Sequence, residues 1–183
     1  RSNTGSNTTA FQFVAEIALS VTSFDDTSSN DQLAEIIPST FWIAPPDDDS
    51  STYPDGPMKG LTAMPNGVLA GFTGKRLCFS EKFLPYAWPT SYRISLEDPI
   101  VGIASIGNGL IVTTEGRPYL VAGTDPASMS AMRMETPQSC LSKTSIVDLG
   151  TVVLYAGPDG LVAAAGSDVQ IITEGLITPD QWQ

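Results

Sequence analysis

Met64-Pro65-Asn66-Gly67-Val68-Leu69-Ala70-Gly71-Phe72-Thr73-Gly74-Lys75-Arg76-Leu77-Cys78-Phe79 reads as an apolar run, a glycine turn and a second apolar run. Ile106-Gly107-Asn108-Gly109-Leu110-Ile111-Val112-Thr113-Thr114-Glu115-Gly116-Arg117-Pro118-Tyr119-Leu120-Val121 repeats that grammar. Asn66-Gly67 aligns with Asn108-Gly109, and Gly74 with Gly116; both offsets are 42 residues. A third copy follows in Leu149-Gly150-Thr151-Val152-Val153-Leu154-Tyr155-Ala156-Gly157-Pro158-Asp159-Gly160-Leu161-Val162-Ala163, with Gly160 lying 44 residues after Gly116. Asn-Gly and Asp-Gly supply the positive φ that tight hairpin turns require. A hairpin recurring every 42 to 44 residues is the spacing of β-propeller blades, each a four-stranded sheet. Continuous apolar runs such as Leu110-Ile111-Val112 suit strands covered on both faces. The fourth strand of each unit is expected to be more polar and harder to see.

The remaining sequence agrees with an all-β chain of blade-like antiparallel repeats, a partial β-propeller. Gly (16) and Pro (14) recur too often for helices of ordinary length. Ala127 to Glu135 reads as a turn or two of helix, and Thr178 to Gln183 as another, with Thr178 as cap and Pro179 at the first helical position. Three units fall at about 58–98, 99–142 and 143–183. Three blades do not close a ring of the usual four to eight, so the array is expected to be truncated or closed by other chain. The opening Arg1-Ser2-Asn3 has no initiator Met and no signal-peptide pattern, which fits a piece of a longer polypeptide.

Ahead of the repeats, Phe11-Gln12-Phe13-Val14-Ala15-Glu16-Ile17 alternates apolar and polar residues like a half-buried strand. Val21 to Phe24 and Glu35 to Ile37 read as further strands. Residues 45–57, rich in Pro and Asp, read as a linker.

Charge and composition exclude several chemistries. Lys plus Arg is 9 and Asp plus Glu is 20, a net charge of −11, and there is no histidine. Without histidine there is no Ser-His-Asp triad, Cys-His pair or HExxH zinc site. The charge argues against broad binding to phosphate backbones. No apolar run is long enough for a membrane helix. Cys78 and Cys140 are too few for a disulfide framework, and whether they are bridged stays open.

Paired carboxylates would be needed for glycoside hydrolysis. Glu81, Glu97, Asp98, Glu115 and Asp159 are the candidates, but Asp159 precedes Gly160 and Asp98 precedes Pro99, so turn chemistry explains both. Asp47-Asp48-Asp49 lacks EF-hand spacing. No catalytic residue, metal ligand or cofactor is assigned, and the chain is read as a non-enzyme. Lys75, Arg76 and Lys82 form the main basic cluster and are candidates for lying near DNA. Phe83, Tyr86, Trp88 and Tyr92, in a Pro-bounded loop, are candidates for a subunit contact.

Lys59 to Phe72, followed by Cys78-Phe79-Ser80-Glu81-Lys82-Phe83-Leu84-Pro85-Tyr86-Ala87-Trp88-Pro89, resembles phage virion proteins of the tail-nozzle and tail-tube accessory group. Ser145 to Asp148, Ala156 to Leu161 and Ile172 to Leu176 fit the same wording, so the likeness covers roughly residues 57 to 183. It implies a structural component of the virion tail that assembles as a ring of its own copies beside other tail or portal-adaptor proteins. DNA would pass the lumen transiently, and no membrane insertion is implied. Residues 9–44 resemble the last strands of a fibronectin type III or immunoglobulin-like sandwich, which makes 1–44 a partial sandwich. The alternative reading from another class is a carbohydrate-binding or glycan-degrading propeller used in receptor recognition. A pair of carboxylates with aromatics in one pocket would favour that alternative.

Overall fold

The computed structural model describes residues 12–34, 43–47, 54–107 and 109–182. The chain divides into two units, Arg1–Trp42 and Ile43–Gln183.

The described part of the first unit holds one 3-10 turn, Asn30–Gln32, and no strand. Gln12 makes a single bridge, and its side-chain amide donates to the Ala34 carbonyl at 3.2 Å. The strand expected over Phe11 to Ile17 is not formed in its described residues, and Phe13 and Ile17 stand about half exposed. Alternation marks a face that needs a partner sheet, and a strand persists only where its backbone is paired. Phe11 and the run Glu35 to Ile37 lie outside the described residues.

The second unit is all-β. Its strands are β1 (Lys59–Ala63), β2 (Leu69–Thr73), β3 (Arg76–Phe79), β4 (Ile94–Ser95), β5 (Ile100–Ile106), β6 (Gly109–Thr114), β7 (Tyr119–Ala122), β8 (Ser130–Arg133), β9 (Val147–Asp148), β10 (Val153–Gly157), β11 (Gly160–Ala165) and β12 (Asp168–Ile171). They form three four-stranded antiparallel meanders, β1 to β4, β5 to β8 and β9 to β12, each ordered as in the sequence. The recurrent hairpin is the second and third strand of each sheet. Gly74 at φ +56° makes the β2–β3 turn, and Pro158-Asp159 bridges β10 and β11. Asn108, the aligned partner of Asn66, lies outside the described residues.

The sheets are stacked face on face. One core cluster joins Ala70, Phe72, Leu77 and Phe79 of the first sheet to Leu110, Val112, Tyr119 and Val121 of the second. Another joins Ala104, Ile106 and Ile111 of the second to Val153, Tyr155, Val162 and Ala164 of the third. The middle sheet is therefore covered on both faces, and β6 is buried along its whole length. That cover suits the apolar run Leu110-Ile111-Val112, while β10, equally apolar in sequence, alternates buried and half-buried residues. The 42-residue offset aligns turns, not faces. Ala70 is the counterpart of Val112 by spacing, yet the two point at each other across one core. The two-residue β2–β3 turn and the longer connection before Tyr119 differ in length, and a one-residue slip reverses every side chain.

Each return from an outer strand to the next inner strand is tied to the preceding hairpin turn. Leu96 N–H donates to Lys75 O and Ile100 N–H to Gly74 O. One sheet on, Met134 N–H donates to Pro118 O and Cys140 N–H to Thr114 O. Leu96 and Met134 are both buried, so each return also plugs its core. Gly60 sits at φ +62° in the β1 bulge, where a side chain would meet the Phe72 ring.

Two helical expectations fare differently. Of the stretch 127–135, only Ala127 and Ser128 are helical. A 3-10 turn at Pro126–Ser128, capped by the Asp125 carboxylate on Ala127 N–H, leads into β8. Pairing with β7 outweighs the modest helix propensity there. The terminal helix α1 does form over Pro179–Trp182. The contact at its start is Gln181 Oε1 accepting from Thr178 N–H at 3.1 Å, the reciprocal half of a capping box.

Candidate functional site

The aromatic loop follows β3. Phe83 N–H donates to Gly67 O at 2.8 Å, which pins the loop to the β1–β2 turn. Phe83 itself has φ +60°, a conformation costly for a bulky side chain, and its ring lies where a Gly67 side chain would be. The ring is 73% exposed, and Tyr86 is 54% exposed. Backbone strain of this kind persists only where the surroundings enforce it, and it clusters at functional sites. Here the tie to Gly67 enforces it and turns an aromatic outward.

The other two loop aromatics do not reach the surface in the same way. Trp88 is buried, with its indole N–H on Pro85 O at 2.9 Å and its backbone N–H on Ile43 O. It packs the chain's interior instead of offering a contact. Tyr92 is half-buried against the first core and donates its hydroxyl to Glu81 at 3.0 Å. Desolvation, with help from Glu81, raises its pKa.

The basic residues are separated and engaged. Lys75 and Arg76 stand at the β2–β3 turn, while Lys82 lies beyond the opposite end of β3. Lys75 Nζ donates to Glu97 O, Arg76 pairs with Asp55 at 3.4 Å, and Lys82 Nζ lies 5.9 Å from the Phe83 ring centroid. The structure does not gather them into one patch.

The carboxylates are likewise dispersed. Glu81 accepts from Tyr92, Glu97 pairs with Arg133 at 2.5 Å, and Asp159 accepts from Gln138 at 2.6 Å. Among the described residues no three His, Cys, Asp or Glu side chains are grouped to hold a metal. Asp48 and Asp49 lie outside the described residues. A cavity of about 580 Å³ is lined by Asp159 and Glu174 together with Ile171, Leu176 and Ile177. It holds two carboxylates but none of the aromatic platforms a sugar ring stacks on.

Cys78 and Cys140 are both free and both buried. Burial pushes the Cys78 thiol up to about 11, against the opposing pull of Arg93 and Arg76. Low-pKa activation of a nucleophile is the reverse of this.

Two surfaces were not singled out by sequence reasoning. The first is the outer face of the third sheet. Val147, Leu154, Ala156, Leu161 and Ala163 share it by register, and Ile172 extends it through its N–H bond to Leu161 O. None of them belongs to either core cluster, and Val147 and Ile172 are 47% and 45% exposed. No sequence signal marks it, because Val153-Leu154-Tyr155-Ala156 and Leu161-Val162-Ala163-Ala164 are continuously apolar although only alternate residues are buried. The second is a groove between β4 and β8, lined by Tyr119, and no local sequence pattern marks it. No helix among the described residues is long and apolar enough to cross a membrane.

No family model matches the chain, and no curated protein matches its sequence. Among solved structures, the crystal structure of the N-terminal domain of Nup159 is similar, with 10% identity and a TM-score of 0.44 over 69% of this chain and 34% of that one. A Saccharomyces cerevisiae complex of Dbp5 with Nup159, Gle1, IP6 and ADP contains a similar chain, with 10% identity and a TM-score of 0.42 over 70% and 34%. The chain spans about a third of the length of those solved chains.

Proposed function

We propose that this chain is a structural assembly component that works by packing against copies of itself. The observation that carries the reading is the placement of two exposed apolar surfaces. Phe83 and Tyr86 project from the first sheet of the stack, and the uncovered face centred on Leu154 belongs to the third. The two cores put the second sheet between them. Different exposed surfaces on one body, carried by different sheets, favour head-to-tail contacts, which close into rings when the rotation allows. The third-sheet face also has the character of the faces already buried between neighbouring sheets, so a further packed layer continues an interface the chain makes twice.

The resemblance of residues 57 to 183 to tail-nozzle and tail-tube accessory proteins supplies the context: a virion tail ring beside other tail or portal-adaptor proteins. The charge of −11 suits a lumen past which DNA slides without being gripped. Negative-stain images of the protein at high concentration test this. Rings support it, and a uniformly monomeric field refutes it.

A further inference from the structure

Strands β4 and β8 are the outermost of the first and second sheets, and each pairs with one neighbour only. Between them runs a groove of about 270 Å³. Its apolar lining comes from Ile94, Leu96, Met129 and Ala131, with Ser95, Ser130 and Glu97 also contributing. Tyr119 lines it too and is only 6% exposed. Among the described residues its hydroxyl oxygen is buried with no hydrogen-bond partner. A buried hydroxyl without a partner is unusual because the desolvation cost is not recovered. The Tyr155 hydroxyl, in the other core, shows the ordinary case, bonded to Gln138 O at 3.0 Å.

We infer that this groove binds an extended peptide segment of a partner protein. The segment would lie along the β8 edge, insert one apolar side chain between the sheets, and present a carbonyl oxygen to the Tyr119 hydroxyl. Three features select that chemistry. Open strand edges offer backbone N–H and C=O groups to an added strand. The groove holds about one large side chain, so it fits an anchor residue better than a whole cofactor. The hydroxyl is a donor in search of an acceptor, and a peptide carbonyl is the acceptor nearest an inserted side chain. Glu97 at the groove is already paired with Arg133, but Asp125 just before β8, on a chain of net charge −11, favours a segment flanked by Lys or Arg. The inference does not depend on self-assembly, since neither groove strand belongs to the third sheet.

The test is selection of heptapeptides from a displayed random library on the full chain, followed by affinity measurement on three proteins. Ser130→Arg fills the groove from an exposed position and is expected to abolish binding. Tyr119→Phe removes only the hydroxyl and is expected to weaken binding roughly fivefold, the worth of one hydrogen bond. Tyr119→Phe is also expected to raise the Tm of the unliganded protein, because it deletes an unsatisfied buried group. Selected sequences should carry one apolar anchor between basic residues. The inference is overturned if the library yields no binder, or if Ser130→Arg leaves binding intact. It is also overturned if Tyr119→Phe fails to raise the Tm, which would mean the hydroxyl already has a partner in solution.

Discussion

The Gln138 side chain grips Asp159 from two sides. Its Nε2 donates to the Asp159 carboxylate at 2.6 Å, and its Oε1 accepts from Asp159 N–H at 3.3 Å. Gln138 is buried on the return from the second sheet to the third, and Asp159 sits in the β10–β11 turn. With Tyr155 donating to Gln138 O, three bonds lock the third hairpin to the crossing that precedes it.

Gln138→Leu keeps the volume near that of Gln but removes both side-chain bonds. The Tyr155 bond survives because it uses the backbone. The expected loss is about 1–3 kcal/mol of unfolding free energy, read by urea denaturation. An unchanged midpoint would show that water replaces Gln138 without cost.

The third hairpin has a second clasp. Trp182 Nε1 donates to Gly157 O at 2.9 Å, bringing α1 back over the turn. The first two sheets make the corresponding tie with backbone N–H groups of Ile100 and Cys140. Trp182→Phe should cost about 1 kcal/mol. It should also raise amide exchange selectively around residues 157–160, measured by hydrogen exchange.

Alkaline stability should turn on Cys78. Its folded pKa, about 11, lies above its ordinary 9.0 because burial disfavours the thiolate. Below pH 9 both states keep the proton and the contribution is fully present. As pH rises from 9 to 11 the unfolded state sheds the proton first, so about 2 kcal/mol is lost by pH 11. Burial raises Tyr155 in the same direction. Cys78→Ala should flatten the fall in stability between pH 9 and 11. The thiol of the folded protein should also react slowly with iodoacetamide at pH 8.

Much of the fold was legible because glycine at positive φ leaves a mark. Gly74 at φ +56° and the Asp159-Gly160 pair located hairpins by chemistry that no other residue type satisfies as cheaply. Leu110-Ile111-Val112 announced a strand covered on both sides, and β6 is one. The outer strands were hidden for the opposite reason. Ile94-Ser95 and Ser130 to Arg133 are short and mostly exposed, so they need no apolar pattern, and Met132 and Met134 imitated a helix. The candidate site was less legible still. An aromatic loop advertises itself by composition, but whether Trp88 or Phe83 faces outward is decided by Pro85 O and Gly67 O, neither of which the sequence marks. Tyr119 could not be told from Tyr155, because the difference is a missing acceptor.

The two faces of the stack also predict different mutational costs. Ile111 is fully buried between the second and third sheets, so Ile111→Ala should cost about 2–5 kcal/mol in thermal or urea unfolding. Val147 is paired with Leu154 on the uncovered face and is 47% exposed. Val147→Lys should therefore leave the unfolding free energy of the dilute protein within about 0.5 kcal/mol of wild type.

That same substitution, read by sedimentation velocity over a range of concentrations, tests self-assembly most directly. The wild-type chain should associate as concentration rises, while Val147→Lys should remain monomeric with an unchanged Tm. The added lysine reduces the net negative charge, so loss of association would reflect the lost apolar contact and not general repulsion. A wild-type chain that stays monomeric throughout, or a variant that associates equally well, would contradict the assembly role.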